Sequence, residues 1–134
     1  MSYSVYVQKF ISGDSAAIDF NAVAAILAPH GTIGDAGRHL EFTPREDNLC
    51  EVSILSGSKS DGITGISFER PVTGRGLPEL IFALLDIPGT CFYELDCSYV
   101  MARSDVTSEL PEGLLEACTL SSVTVISSAA EVQL

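Results

Sequence analysis

Basic residues are scarce in this chain. Seven Lys and Arg stand against eighteen Asp and Glu, a formal net charge of −11 over 134 residues. Nucleic-acid phosphates and anionic lipid surfaces both select Lys and Arg, so this balance argues against either as a partner. Metal-ligand types are also few: His30, His39, Cys50, Cys91, Cys97 and Cys118. No two cysteines have C-x-x-C spacing, so the tight ligand pairs of a structural zinc site are missing. No metal and no cofactor is expected. The opening Met1-Ser2-Tyr3-Ser4-Val5 has no basic stretch followed by a long apolar run, unlike a signal peptide. No segment approaches the ~20 apolar residues that span a bilayer. These absences predict a cytoplasmic location, no membrane contact and reduced, mostly buried thiols. A Cys91–Cys97 bridge is the alternative if a tight turn separates them.

Apolar material is plentiful. Hydrophobic residues make up 46% of the chain and mean hydropathy is +0.31, enough to build a core without covalent staples. One domain over residues 1–134 is expected, with the last few residues loose. The acidic excess suits a basic partner, or serves solubility alone.

Periodicity places the elements. Residues 3–11 alternate, with Tyr3, Val5 and Val7 on one face and Ser4, Tyr6, Gln8 and Phe10 on the other, which predicts a strand. Ser12-Gly13-Asp14-Ser15 reads as a loop. Asp19 suits an N-cap, and Phe20, Val23, Ala24 and Leu27 follow with the spacing of one helix face. Pro29 and Gly31 end that helix. Residues 32–37 read as a Gly-rich turn. A hairpin is predicted next, with arms over 38–43 and 49–55 and a polar turn between them. In its second arm Cys50, Val52 and Ile54 share a face opposite Glu51 and Ser53. After a loop over 57–62, a strand over 63–70 turns Ile66 and Phe68 inward and Ser67 and Glu69 outward. Pro78 fits the first turn of a second helix, whose Leu77, Leu80, Ile81, Leu84 and Leu85 form a wide apolar stripe. Pro88-Gly89 stops it. Residues 90–103 are extended as one strand or two, 108–118 read as a short helix and 123–127 as a last strand. The order β-α-β-β-β-α-β-(β)-α-β predicts an α+β domain of two layers. A mostly antiparallel sheet would carry two main helices and one short helix.

No motif for catalysis stands out. Gly74-Arg75-Gly76 before a helix resembles a phosphate loop, but no Lys-Ser/Thr follows and Pro78 removes a donor, so a plain turn explains it. A Cys–His pair would need contacts that sequence does not supply. Glu94 and Asp96 lie two apart in an extended segment and so on one face. Acid–base work, a solvated strand face and a negative patch for a partner are the three readings. The tyrosines Tyr3, Tyr6, Tyr93 and Tyr99 sit in strands, where core packing is ordinary and an interface anchor beside carboxylates is the alternative.

The opening from Met1 to Phe10 with Gly13, and Ile66-Ser67-Phe68-Glu69-Arg70-Pro71 before an apolar helix, resemble a group of small bacterial proteins. Some of that group look like immunity proteins of polymorphic toxin systems. The resemblance is strongest over 1–31 and 63–88 and carries no catalytic residue. It implies a binding role. An acidic inhibitor imitates the phosphates that a basic toxin grips, and complementary charge speeds encounter. The expected contact residues are Glu94, Asp96, Tyr93 and Tyr99, with Glu46, Asp47 and Glu51 as a second acidic group. A small enzyme or ligand-binding domain with a cleft near Gly74–Gly76 is one alternative. A structural homodimer subunit is the other.

Overall fold

The computed structural model describes residues 4–35, 40–44, 51–58, 62–69, 77–94, 99–117 and 122–132. The fold is α+β. β1 (Ser4–Ile11) and β2 (Asp14–Ala16) precede α1 (Phe20–Leu27), β3 (Gly31–Asp35), β4 (Leu40–Pro44), β5 (Glu51–Ser58) and β6 (Gly62–Glu69). There follow α2 (Leu77–Leu84), β7 (Thr90–Glu94), β8 (Val100–Ala102), α3 (Glu112–Ala117) and β9 (Thr124–Val125). The main sheet runs β5-β6-β1-β7-β8-β9, with β2 beside β1. Every pairing is antiparallel except β8 with β9.

Alternation along β1 organises the centre. Val5 lies opposite Phe68, and Val7 opposite Ile66 and Phe92. Ile54 faces Ile66 and Met101 faces Phe92, so one row of apolar residues, Ile54, Ile66, Val7, Phe92 and Met101, crosses five strands. α1 and α2 pack on this face. Asp19 accepts the Ala22 N–H at 3.1 Å and starts α1, which buries Val23 and Leu27. α2 buries Leu77, Leu80, Ile81 and Leu84, the stripe its spacing predicts. The 3₁₀ turn over Ala129–Glu131 follows β9, and the chain is packed as far as Val132 in this core.

The opposite face carries a second, smaller core. Phe10, Cys91, Val100 and Ala102 meet Val106, Leu110 and Val123, with Leu114 and Leu115 of α3 packed against them. The apolar material of residues 90–102 thus splits between two faces. Phe92 and Met101 go to the α1–α2 side, while Cys91 and Val100 go to the α3 side. Of the two arrangements expected for 90–103, the described residues form two antiparallel strands rather than one long one.

Five local expectations need correction. The loop at 12–15 is a two-residue turn, because Asp14 pairs back onto Ile11. Ser12 (φ 52°) and Gly13 (φ 86°) supply the positive φ values that such a turn needs. Residues 31–35 form strand β3, not a turn, and β3 is the partner of β4. The predicted hairpin of 38–43 with 49–55 is therefore replaced by two others: β4 joins β3 in a small separate sheet, and β5 pairs with β6. The predicted helix over 108–118 begins with a 3₁₀ turn at Thr107–Glu109 and reaches α geometry only after Pro111, which blocks a continuous hydrogen-bond ladder. The last strand shortens to Thr124 and Val125. One close approach requires glycine. At Gly62 φ is 84°, and a Cβ would stand 2.7 Å from the Ile18 carbonyl oxygen, where Ile18 and Ile63 exchange backbone hydrogen bonds.

Candidate functional site

Strand register gathers carboxylates at one end of the main sheet. Glu51, the first residue of β5, lies opposite Glu69, the last residue of β6. Glu69 in turn lies opposite Ser4 of β1. One step along, Val5 lies opposite Glu94, the last residue of β7. Glu69 and Glu94 thus sit two strands apart, about 10 Å at the usual strand spacing. Alternation sends them to different faces. Glu69 shares the face of Ser4 and Tyr6, while Glu94 shares that of Val5 and Phe92, at the margin of the helix-covered core. Both are half-buried.

On the Glu69 face the contacts are specific. The Ser4 hydroxyl donates to Glu69 Oε2 at 2.7 Å. Tyr6 and Tyr93 are cross-strand neighbours, with ring centroids 5.6 Å apart and planes tilted by 32°. The Tyr93 hydroxyl donates to Gln8 Oε1 at 2.6 Å. Three residues of β1, spaced by two, thereby line one strip.

The sequence-predicted contact residues divide among several places. Glu51, Glu94 and Tyr93 reach the same end of the sheet, Tyr93 on the face opposite to Glu94. Tyr99 is 9% exposed, with its ring 5.8 Å from that of Phe92 in the first core. Asp96, Glu46 and Asp47 lie outside the described residues, as do Gly74–Gly76 and His39. Glu69, Gln8 and Ser4 were not singled out from sequence as contact residues, and Tyr6 was considered only among the strand tyrosines. The available signal was the outward parity of Glu51 and Glu69 on consecutive strands, which a tight β5–β6 pairing turns into a direct juxtaposition.

Cys91 is a free buried thiol, and burial pushes its pKa up to about 12, so it stays neutral and unreactive. His30 ends the 3₁₀ turn after α1. Among the described residues no three His, Cys, Asp or Glu side chains converge on a cation-sized site. Among them, too, no helix is long and apolar enough to cross a membrane. No family model, curated protein or solved structure matches the chain.

Proposed function

We propose that this chain is a non-enzymatic binding protein that neutralises a basic protein partner, such as a co-encoded toxin, through the acidic end of its main sheet. The carrying observation is the register that places Glu51 opposite Glu69, with Glu94 two strands away. Like charges directly opposite on a sheet cost stability, on the order of 0.2–1 kcal/mol per pair. Solubility alone would be served by carboxylates anywhere on the surface and gives no reason to accept that cost. A cationic partner does, since its approach turns the repulsion into attraction. The net charge of −11 extends the attraction beyond the contact itself. On this reading the protein works in the cytoplasm and takes neither nucleic acid nor membrane as its partner.

The test compares the binding of a co-purified basic partner by the wild-type chain, the triple variant Glu51→Gln, Glu69→Gln, Glu94→Gln and a control pair on α3, Glu112→Gln with Glu116→Gln. Affinity should fall at least tenfold, about 1.4 kcal/mol, in the triple variant and change little in the control. Equal affinity in all three would remove the acidic end from the interface.

A further inference from the structure

The β1–β2 hairpin runs out beyond the centre of its sheet. The last partner of β1 on β6 is Gly65, opposite Gln8, and on β7 it is Thr90, opposite Lys9. Phe10 and Ile11 project past both, with β2 as their strand partner. Phe10 is buried in the second core, while Ile11, on the other side of the strand, is left 52% exposed. Asp14 lies directly opposite Ile11 and is also exposed. Opposite residues of an antiparallel pair share a face, with Cβ atoms about 5 Å apart. Among the described residues nothing bonds the Asp14 carboxylate.

The tip is held rigid. A two-residue turn leaves the N–H groups of its two central residues outside the ladder, and here Glu109 takes both. The Ser12 N–H donates to Glu109 Oε2 at 2.6 Å, and the Gly13 N–H donates to the Glu109 carbonyl at 3.0 Å. Ser12, at φ 52°, is the one non-glycine residue with positive φ among the described residues. Such strain persists where the surroundings fix it, and it gathers at functional sites. A turn that only reverses the chain takes Asn-Gly and needs no tether. Ile11 adds a side chain that is itself stiff at χ1. A lone exposed apolar residue is ordinary on a surface. One beside a strained and doubly tethered turn is an anchor fixed before docking, so little freedom is lost when it docks. The pocket that fits it is apolar in its depth and carries Lys or Arg at its mouth, complementing Asp14 and the net charge of −11.

We infer that the β1–β2 tip is a docking finger that seats Ile11 in an apolar pocket of the basic protein partner, with Asp14 facing a cation at the pocket mouth. The choice of partner rests on the function proposed above. The finger is a second contact, at the opposite end of β1 from the acidic end, about 24 Å from Ser4 to Ile11 by strand rise. An interface of usual size, about 800 Å² on each partner, reaches across that distance.

The experiment places a photo-reactive side chain in the full chain, Ile11→p-benzoylphenylalanine, irradiates the native cells and identifies the adduct by mass spectrometry. Position 11 should join a basic protein that the same label at Glu112, exposed on α3, does not join. Binding of that protein is then measured. Ile11→Ser should weaken it at least about fivefold with no change in melting midpoint, while Ile11→Val should stay within about twofold. Glu109→Ala should also weaken it by loosening the turn, and Glu109→Gln, which keeps an acceptor for the Ser12 N–H, should restore it. No adduct, an adduct with a second copy of the chain, or wild-type affinity in Ile11→Ser overturns the finger. The two proposals fail differently. If Ile11→Ser binds normally and the Glu51, Glu69 and Glu94 triple variant does not, the finger falls and the acidic end stands. If the reverse holds, the acidic end falls and the finger stands. An adduct with a protein that is not basic overturns both.

Discussion

Asp105 illustrates how one exposed carboxylate organises a connection. Its Oδ1 accepts the Thr107 N–H at 3.0 Å and the Thr107 hydroxyl at 2.5 Å. Thr107 Oγ1 in turn accepts the Val123 N–H at 3.0 Å, so the segment leading into β9 hangs on this relay. The two hydrogen bonds from Thr107, side chain first, hold the Asp105 carboxyl below its ordinary range. A carboxylate whose folded pKa is lowered adds stability above its unfolded value of about 4 and loses it as pH falls through the folded value. Wild type should therefore exceed Asp105→Asn in urea midpoint near neutrality, and the gap should close in acid as pH falls through the lowered folded value. A gap that persists in acid would show that the charge is not what the relay uses. Cys91 gives a complementary residue-scale prediction. With its thiol pushed up to about 12 by burial, it should resist alkylation at about pH 8 until the chain is unfolded. Mass spectrometry of native and denatured protein, with Cys91 located by peptide mapping, checks this.

At the scale of elements, α2 is the anchor of the larger core. Leu84 is fully buried beneath it, and Leu84→Ala should cost about 2–5 kcal/mol in chemical denaturation. The end of α2 is held by Thr90, whose hydroxyl donates to the Ile87 carbonyl at 2.7 Å. Gly89 at φ 84° makes the reversal into β7. The β5–β6 pair behaves in the opposite sense. Glu69→Gln retains an acceptor for the Ser4 hydroxyl and removes one of two like charges at the register pair of residues 51 and 69. It should leave stability unchanged or raise it by up to about 1 kcal/mol, while weakening partner binding. Parallel measurement of the melting midpoint and the affinity separates the two effects. A clear loss of stability would mean that Glu69 is retained for folding rather than for recognition.

For the whole molecule, charge and oligomeric state are the observables. Association with a basic partner should slow as salt rises from about 0.05 M to about 0.5 M, because the Debye length shrinks severalfold and long-range steering fades. The off-rate should respond less, since close contacts are screened less. A salt-insensitive on-rate would return the acidic excess to a role in solubility. The homodimer alternative predicts a mass that rises with concentration. Among the described residues the large exposed apolar side chains are Ile11 and Val125, which lie on opposite faces of the sheet and do not by themselves make one self-complementary patch.

The sequence by itself determined the elements whose signal is local. β1 follows from strict alternation, α1 from Asp19 and the 3.6-residue spacing behind it, and α2 from a leucine stripe bounded by Pro78 and Pro88-Gly89. It also determined the acidity, and with it the class of partner to consider. Tertiary structure decided whatever depended on which strand met which. Residues 31–35 look like a turn because Gly31 and Gly34 carry no β signal, yet β4 offers them a ladder, and that removes β4 from β5. The chain between 90 and 102 has apolar residues at both parities. Only packing of α1 and α2 on one side and α3 on the other assigns Phe92 and Tyr99 to one core and Cys91 and Val100 to the other. The candidate site has the same origin. Glu51, Glu69 and Glu94 are far apart in sequence and carry no motif, and only hydrogen-bond register across four strands brings them to one end of the sheet. Alternation told which way a side chain points along its own strand. Register, fixed by the burial of Val5, Val7, Phe68 and Phe92, told what it stands beside.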